Sequence, residues 1–174
     1  MKKEIELKFR VDDFTQARKK LHQEGAVLEW KGIEQNWFFD TPRRDLRKRD
    51  AALRIKIVDD TRITLKEKQP EQKGMKVADE YQVTVDDAKT MREIFERIGF
   101  VETLHYRKRR EHWILGNIQI ELDELSPSHR YVEIEASIPR IKNLARKLNL
   151  DLAKSTTKTY IQLVKELNIV KKPR

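Results

Sequence analysis

An internal repeat constrains the fold of this chain more than any other feature of its sequence. Residues 6–27 (ELKFRVDDFTQARKKLHQEGAV) align without gaps with residues 80–101 (EYQVTVDDAKTMREIFERIGFV). A repeat of this length indicates that the chain is built from two related units. The predicted organisation is one domain over 1–174, with halves at approximately 1–75 and 76–138 and C-terminal helices at 139–174.

Each copy of the repeat combines an alternating strand pattern with an amphipathic helix. Both strands end at Val-Asp-Asp, where an aspartate can cap a helix by accepting backbone N–H bonds. A glycine after the last apolar residue is typical of a helix end. The predicted N-caps are Asp12 or Asp13 and Asp86 or Asp87, the apolar stripes are Phe14, Ala17, Leu21 and Met91, Ile94, Phe95, Ile98, and the terminating glycines are Gly25 and Gly99.

Three further strand-like segments follow each helix, so that both halves are predicted as strand, helix and three strands. Eight mostly antiparallel strands with short connections can close into a barrel, and closure removes unpaired strand edges. The predicted fold class is therefore α+β: a closed eight-stranded, mostly antiparallel β-barrel that encloses a tunnel, with helices packed outside. The further strands are predicted at 35–40, 51–58, 62–68, 105–115, 117–125 and 130–137, and the last helices at 140–150 and 155–169.

Charged and aliphatic residues alternate along most of these strands. Because side chains two positions apart share a face of a strand, each strand has a charged face and an apolar face. The charged faces could be the solvated outside of a sandwich, but amphipathic helices need an apolar surface to pack on, which favours charged faces inside a barrel. The charged or polar faces carry Glu4, Glu6, Lys8; Arg54, Lys56; Lys66, Lys68; Glu80, Gln82; Lys108, Arg110; Glu121, Asp123; and Glu133, Glu135.

A barrel lined with charges requires ligands that complete the pairing, because unpaired buried charges are costly. Carboxylate clusters bind Mg²⁺ or Mn²⁺ through hard oxygen ligands, whereas arginine and lysine bind phosphate oxygens. The two halves divide these roles unevenly, since basic residues occupy strands of the first half and acidic residues occupy their counterparts in the second. The pattern therefore predicts a tunnel that holds a metal-bound polyphosphate.

Composition narrows the class of protein without choosing a ligand. The 38 Lys+Arg and 29 Asp+Glu give a net charge of +9, which attracts polyanions of any kind. Dense basic runs lie at 43–49, 107–110 and 171–174 without a zinc-finger, KH or RRM signature, so nucleic acid binding is kept as the alternative. The chain has no cysteine, no signal-peptide pattern and no long apolar run, and a cytoplasmic protein without a membrane partner is expected.

Blocks of charged residues follow one another in a fixed order along almost the whole chain. In order, they are Glu4-x-Glu6-x-Lys8, Phe39-Asp-Thr-Pro, Ala-Leu-Arg54-Ile-Lys56, Ile-Thr-Leu-Lys66, Arg107-Lys-Arg-Arg110, Asp123, Val132-Glu133-Ile-Glu135 and Lys158-Thr-Tyr160. This series resembles the CYTH domains, or triphosphate tunnel metalloenzymes, which include class IV adenylyl cyclases and thiamine triphosphatases. The resemblance implies a metal-dependent enzyme that acts on triphosphates with Mg²⁺ or Mn²⁺, as two ions.

The resemblance also implies roles for individual residues. Lys8, Glu133 and Glu135 are implied as catalytic. Glu80 lies where the family has a glutamate in the tunnel, and Lys68 is assigned to the tunnel because it shares a strand face with Lys66. The implied metal ligands are Glu4, Glu6, Asp123, Glu133 and Glu135. The implied phosphate contacts are Lys8, Arg54, Lys56, Lys66, Lys108, Arg110 and Lys158.

Departures from the family pattern bear on the substrate. The chain has Ser128-His129-Arg130 where a Leu-Gly pair is usual and Ala78 where an arginine is frequent, and it lacks the tyrosine after the first helix that accompanies inorganic triphosphate. An organic triphosphate, either a nucleoside triphosphate such as ATP or thiamine triphosphate, is therefore favoured over tripolyphosphate. Hydrolysis is the leading expectation; conversion of ATP to cyclic AMP and pyrophosphate, and non-catalytic binding of polyphosphate, nucleotide or RNA, remain alternatives. A homodimer is also left open.

Overall fold

A computed structural model of the chain describes residues 2–168. Within this range the chain forms nine strands, five α-helices and a short 3₁₀ helix at Leu152–Lys154. The strands are β1 (Lys2–Val11), β2 (Val27–Asp40), β3 (Ala51–Ile57), β4 (Thr61–Gln72), β5 (Met75–Val85), β6 (Val101–Leu115), β7 (Ile118–Ser126), β8 (His129–Glu135) and β9 (Ser155–Thr156). The helices are α1 (Thr15–Gln23), α2 (Asp45–Lys48), α3 (Ala88–Arg97), α4 (Ile138–Lys147) and α5 (Tyr160–Glu166).

The first eight strands close into a ring. Going round the ring, their order is β1, β5, β4, β3, β2, β6, β7 and β8, and β8 pairs again with β1. Every pairing is antiparallel, and β9 adds two residues beside β1. The predicted closed, eight-stranded antiparallel barrel is confirmed. The ring is uneven, because β2 and β6 have 14 and 15 residues whereas β3 and β8 have seven each.

The two halves share one order of elements, as the repeat predicted. The first half runs β1, α1, β2, β3, β4, and the second runs β5, α3, β6, β7, β8; the short helix α2 is added between β2 and β3. Several strands are longer than predicted. For example, β2 begins at Val27 and β6 at Val101, because these strands pair with each other from Val27–Ile114 to Asp40–Val101. Pairing across the sheet thus extends strands beyond the segments where alternation is visible.

Apolar side chains on the outside of the ring hold three of the helices. Helices α1 and α4 pack on β1, β7 and β8, and α3 packs through Phe95 on Trp37, Phe39 and Ile55. The aliphatic strand faces therefore point outward and the charged faces inward. The predicted stripe of α3 is wrong at Ile94 and Ile98, which are 41% and 63% exposed, because the barrel covers this helix along the Phe95 side.

Helix α5 differs from the other helices, since it packs on side chains that share the inward face. Tyr160, Leu163 and Val164 of α5 form an apolar cluster with residues that include Phe38 and Leu104. This cluster fills part of one end of the barrel. The helix ends at Glu166, and the predicted end at Ile169 lies outside the described residues, as does the basic run at 171–174. None of the helices within residues 2–168 is long and apolar enough to cross a membrane.

The helix ends follow the predicted signals with one difference. Asp87 caps α3 by accepting the Lys89 backbone N–H at 2.9 Å, and Gly25 and Gly99 adopt φ of +80° and +95° just after α1 and α3. In α1 the N-cap position is occupied by Phe14 rather than by an aspartate. Asp13 still accepts the backbone N–H of Thr15, at 2.6 Å, so the aspartate satisfies the first turn from one position earlier.

A buried glutamate ties α1 to the outer face of the barrel. Glu111 of β6 accepts two bonds from Arg18 of α1 at 2.9 and 3.0 Å, one from Trp113 Nε1 at 3.3 Å, and lies 3.0 Å from Lys31 Nζ. We predict that Glu111→Ala lowers the free energy of unfolding by about 1–3 kcal/mol, because it leaves a buried indole N–H and a guanidinium without an acceptor. Urea denaturation measures this change. Lys31→Ala, which removes a mostly exposed partner, should cost less than about 0.5 kcal/mol; equal losses in the two variants would contradict this account.

Candidate active site

The ring encloses a cavity of about 920 Å³, into which the charged strand faces project. Side chains from every strand of the ring reach its wall, because the inward positions alternate along each strand. Most of the residues predicted for the site are thereby brought together. The predicted residues that line this cavity are Glu4, Glu6, Arg54, Lys56, Lys66, Lys68, Glu80, Lys108, Arg110, Glu133 and Glu135.

Two neighbouring glutamates of β1 form a buried acidic pair. Lys66 Nζ lies 2.5 Å from Glu4 Oε2, and Lys76 Nζ lies 2.5 Å from Glu6 Oε1. Burial, together with the adjacent Glu6, raises the pKa of Glu4 to about 8 although Lys66 opposes the shift. Burial would also raise the pKa of Glu6, but the ammonium groups of Lys76 and Lys8 hold it well below its ordinary value. The two carboxyl groups therefore differ in acidity, and a bound cation would help Lys66 to hold Glu4 in its ionised form.

A second acid–base pair lies beside the first. Lys8 Nζ is 2.6 Å from Glu133 Oε1 and 3.9 Å from Glu6, and the Lys8 side chain is almost fully buried. Burial and the neighbouring Glu6 raise the pKa of Glu133. Burial would lower the pKa of Lys8, but Glu133 and Glu6 raise it, so the ammonium stays charged. Lys8 thus lies behind the cavity wall, where it neutralises the carboxylates.

Asp123 is fully buried and does not reach the cavity wall. Its carboxylate accepts bonds from Arg110 Nε at 2.7 Å, Arg110 Nη2 at 2.6 Å, Lys108 Nζ at 2.9 Å and the Tyr160 hydroxyl at 2.5 Å. The Tyr160 ring also lies 3.7 Å from Lys108 Nζ and 4.4 Å from Lys8 Nζ. In this arrangement Asp123 fixes the two basic side chains of β6 and anchors α5 to the barrel.

Three basic side chains of β3 and β4 lack such partners. Among residues 2–168, no carboxylate forms an ion pair with Arg54, Lys56 or Lys68; Arg54 donates to Asn36 Oδ1 at 3.3 Å. Burial and the adjacent Arg54 lower the pKa of Lys56 to about 8. These cations line the same cavity as the paired carboxylates. The cavity therefore contains positive charges that no carboxylate of residues 2–168 contacts directly, although Glu34 and Glu80 lie near enough to interact with them.

The structure does not bring Lys158 to the tunnel. Its Nζ lies 2.9 Å from Glu166 on the exposed side of α5, and the side chain is absent from the described cavity wall. The reason is local: Thr159 and Gln162 form a capping box that starts α5, and the preceding lysine is left outside the helix. We therefore leave Lys158 out of the proposed binding set.

Two charged residues that contact the site, the buried Glu34 and the half-buried Lys76, lie outside the predicted set. Glu34 of β2 contacts Lys108 Nζ at 3.3 Å and Arg110 Nη1 at 3.1 Å, and Lys76 of β5 contacts Glu6. Both precede the strand segments predicted from alternation, which began at residues 35 and 80. Extending the parity backward along each strand places Glu34 with Asn36 and Lys76 with Glu80. That signal was present in the sequence, but the predicted strands began too late to include the two residues.

The residues present fit a divalent metal ion that arrives with a phosphate ligand. Among residues 2–168, no group of three or more acidic or histidine side chains is arranged to hold a metal by itself. Mg²⁺, however, is usually bound by one or two carboxylates together with substrate phosphates. Glu4, Glu6 and Glu133 supply hard oxygen donors at the cavity wall. Burial raises the pKa of Glu4 and of Glu133, and a bound cation would help to hold both groups ionised.

Comparisons with known proteins point to one family. The CYTH domain model matches residues 2–160. A Methanocaldococcus jannaschii protein that is provisionally named an adenylate cyclase is 28% identical over 170 residues, covering 92% of this chain and 97% of that protein. Adenylate cyclase CyaB of Aeromonas hydrophila is 29% identical over 177 residues, covering 94% of this chain and 89% of that protein.

Solved structures share the fold at lower identity. A Vibrio parahaemolyticus protein provisionally described as an adenylate cyclase superposes with a TM-score of 0.83 at 20% identity, covering 93% of this chain and 97% of that one. A Hippeastrum protein, provisionally an adenylyl cyclase and described as having a dominant triphosphatase activity, superposes with a TM-score of 0.68 at 19% identity, covering 94% and 95%. These likenesses show that the ring is a recurrent fold.

The unpaired Lys56 gives a stability prediction. Its pKa is about 8 in the folded protein and near 10.5 when exposed, so the folded state carries a penalty that is complete below pH 8 and disappears as the pH rises to 10.5. We expect Lys56→Met to raise the free energy of unfolding of the ligand-free protein by about 1–3 kcal/mol at pH 7, and by less at pH 10.

Urea denaturation at both pH values measures the effect. Lys89→Met removes an exposed lysine of α3 and should change stability by less than about 0.5 kcal/mol at either pH. A Lys56→Met variant that is less stable than the parent at pH 7 would show that this ammonium has a partner or is solvated.

Proposed function

The chain belongs to the CYTH domain family, and we propose that it is an enzyme that binds an organic triphosphate in its tunnel and hydrolyses it with Mg²⁺ or Mn²⁺. One observation carries this proposal: the cavity inside the ring holds cations of β3 and β4 that form no ion pair with residues 2–168, beside paired carboxylates on β1 and β8. A phosphate chain carrying divalent metal ions has the charge distribution that complements such a wall. The named relatives support an enzyme of this family in general.

The basic side of the cavity would hold the phosphate chain. Arg54 offers a planar guanidinium that can bind two phosphate oxygens at once, and Lys56 and Lys68 offer single ammonium charges. Lys66, Lys108 and Arg110 also reach the wall but share their charge with carboxylates. Burial and the adjacent Arg54 lower the pKa of Lys56, and a bound polyanion would raise it again by stabilising the charged ammonium.

The acidic side would hold the metal ions. Glu4, Glu6 and Glu133 are the proposed ligands, Glu135 reaches the same cavity, and Asp123 would act chiefly by fixing Lys108 and Arg110. When bound, a divalent ion would neutralise charge on phosphate oxygens and lower the pKa of water. Glu80 lies 3.2 Å from Lys66 and limits how much of that lysine's charge is available to a phosphate.

Lys8 has a conditional role in this proposal. Its ammonium is charged but held at 2.6 Å by Glu133, behind the wall of the cavity. It can donate to a phosphate oxygen only if it exchanges the carboxylate for that oxygen. Such an exchange would leave Glu133 free to bind a cation, so substrate binding and metal binding at this pair would favour each other.

Hydrolysis is proposed over cyclisation because of the character of the cavity. Cyclisation requires that the ribose hydroxyl be held against the α-phosphorus and that water be excluded. Charged side chains line much of the described wall, and its 920 Å³ leave space for water beside a phosphate chain. Formation of cyclic AMP from ATP is the second candidate, and the names of the M. jannaschii and A. hydrophila relatives favour it. The Hippeastrum structure illustrates that the fold can carry triphosphatase activity.

Product analysis tests the proposed reaction. We expect incubation of ATP or thiamine triphosphate with Mg²⁺ or Mn²⁺ to release diphosphate product and inorganic phosphate, and EDTA to abolish the release. Anion-exchange chromatography separates the products. If cyclic AMP and pyrophosphate are the dominant products of ATP, the enzyme is a cyclase and the proposed hydrolysis is wrong. Binding of these ligands without turnover, and equally well in EDTA, would indicate a binding module.

The acidic pair at Glu133 gives a separate kinetic prediction. Glu133→Gln keeps the shape of the side chain but removes the charge that would hold a metal ion, so kcat should fall at least about tenfold with a smaller change in KM. Glu124→Gln is the matched control, because Glu124 pairs with Arg130 at 2.8 Å and does not line the cavity. Steady-state kinetics at saturating Mg²⁺ measure kcat and KM for both variants. Equal activity of the two variants would show that Glu133 is not one of the proposed catalytic residues.

A further inference from the structure

A second cluster of cations lies at one rim of the tunnel. Arg44 and Arg47 come from the α2 segment, Lys165 comes from α5, and all three line the same cavity as the inward-facing charges. We propose that these residues form an accessory anion subsite, which binds a phosphate group beyond the three held inside the tunnel. This inference rests on the proposed function, because it assumes that the tunnel itself holds a phosphate chain.

The backbone that carries the two arginines is held firmly. The Asp40 carboxylate at the end of β2 accepts backbone N–H bonds from Thr41 at 2.7 Å, Leu46 at 2.9 Å and Arg47 at 3.1 Å. Leu46 is buried, so α2 is also packed against the protein. Arg44 has φ of 60°, a left-handed conformation that non-glycine residues rarely adopt and that must be stabilised by its surroundings.

Helix α5 is fixed on the opposite side of the rim. Its first turn is closed by the capping box of Thr159 and Gln162, and its Tyr160 hydroxyl is bonded to the buried Asp123. Leu163 and Val164 pack into the apolar cluster at this end of the barrel. Lys165 follows directly and projects from the exposed side of the helix into the cavity mouth.

These three cations lack a matching set of acids. No carboxylate within residues 2–168 forms an ion pair with Arg44, Arg47 or Lys165. Burial and the nearby Arg47 and Arg44 lower the pKa of Lys165, which shows that the groups from α2 and α5 are close enough to repel. Two aspartates also reach this part of the wall, but Asp40 is occupied by backbone N–H groups and Asp50 is a single charge. The rim therefore has an excess of positive charge.

Lys68 connects the rim to the interior. Its backbone N–H donates to the Asp50 carbonyl at 2.9 Å, which places it beside the junction of α2 and β3, and its side chain lines the cavity. Unpaired cations therefore continue from Lys56 and Arg54 inside the tunnel, through Lys68, to the rim. A linear chain of four or more phosphates, either free or attached to a nucleoside, is the ligand class that fits this track.

Binding of two inorganic probes tests the subsite. Isothermal titration calorimetry with Mg²⁺ would compare tripolyphosphate with tetrapolyphosphate on the full chain. We expect the wild-type protein to bind tetrapolyphosphate at least about tenfold more tightly than tripolyphosphate, since one added charge-assisted contact of this kind is worth about 1.4 kcal/mol or more. The variant R44Q/R47Q/K165Q should lose this preference and keep its tripolyphosphate Kd within about threefold.

A variant with equal charge loss elsewhere is the control. R140Q/K142Q/K89Q removes three exposed cations of α4 and α3 and should keep the preference for the longer chain. The single variant Lys165→Gln changes one exposed helix position and should remove part of the preference even if the triple variant folds poorly. The same comparison of ATP with adenosine 5′-tetraphosphate, set beside the inorganic pair, shows whether the subsite binds the fourth phosphate of a free chain, of a nucleotide or of both.

Three outcomes would overturn the inference. Equal wild-type affinity for the two chain lengths would mean that the rim contacts no fourth phosphate. An equal loss of affinity for both lengths in R44Q/R47Q/K165Q would mean that the rim attracts anions without a defined subsite. Failure of tripolyphosphate, ATP and thiamine triphosphate alike to bind would remove the proposed function together with the subsite, whereas tight tripolyphosphate binding without a length preference removes the subsite alone.

Discussion

Neutralising charge inside a closed ring is the constraint on which the rest of this structure depends. The outer faces of the strands are needed to hold α1, α3 and α4, so the charged faces must point inward. A buried carboxylate or ammonium is stable only with a partner of opposite charge, and the ring supplies several, such as Lys8 with Glu133 and Lys66 with Glu4. Antiparallel register places Lys8 directly opposite Glu133, whereas Lys66 of β4 reaches Glu4 of β1 past the intervening strand β5.

Some cations of the cavity have no carboxylate partner in the described part of the chain, and this excess of positive charge is the basis of the proposed function. Glu4, Glu6 and Glu133 each have a lysine partner, whereas Arg54, Lys56 and Lys68 form no ion pair with a carboxylate of residues 2–168. Burial, reinforced by the neighbouring Arg54, lowers the pKa of Lys56 to about 8. A protein that keeps such groups gives up stability in its ligand-free form, which is the usual consequence of a site prepared for a charged ligand. The additional cations at the rim, Arg44, Arg47 and Lys165, continue this excess of positive charge to the mouth of the cavity.

Sequence reasoning predicted the ring and most of the cavity because both depend on a period of two residues. Parity alone sorted Glu4, Glu6, Arg54 and Glu133 onto the inward face, and the repeat supplied the strand count. It did not reveal partners across the ring: that Asp123 is enclosed by Arg110, Lys108 and Tyr160 depends on tertiary packing. Lys158 was assigned from a motif without its local context, and Glu34 and Lys76 were missed because pairing extends strands past the visible alternation.

Anomalous diffraction from crystals grown with Mn²⁺ and tripolyphosphate would test the central claim most directly. If the unpaired cations and buried carboxylates form one site, manganese should lie against Glu4, Glu6 or Glu133, and the phosphate chain should lie along Arg54, Lys56 and Lys68. Manganese and phosphate bound to the outer surface, with Lys8 and Glu133 still paired inside an unoccupied ring, would contradict the account.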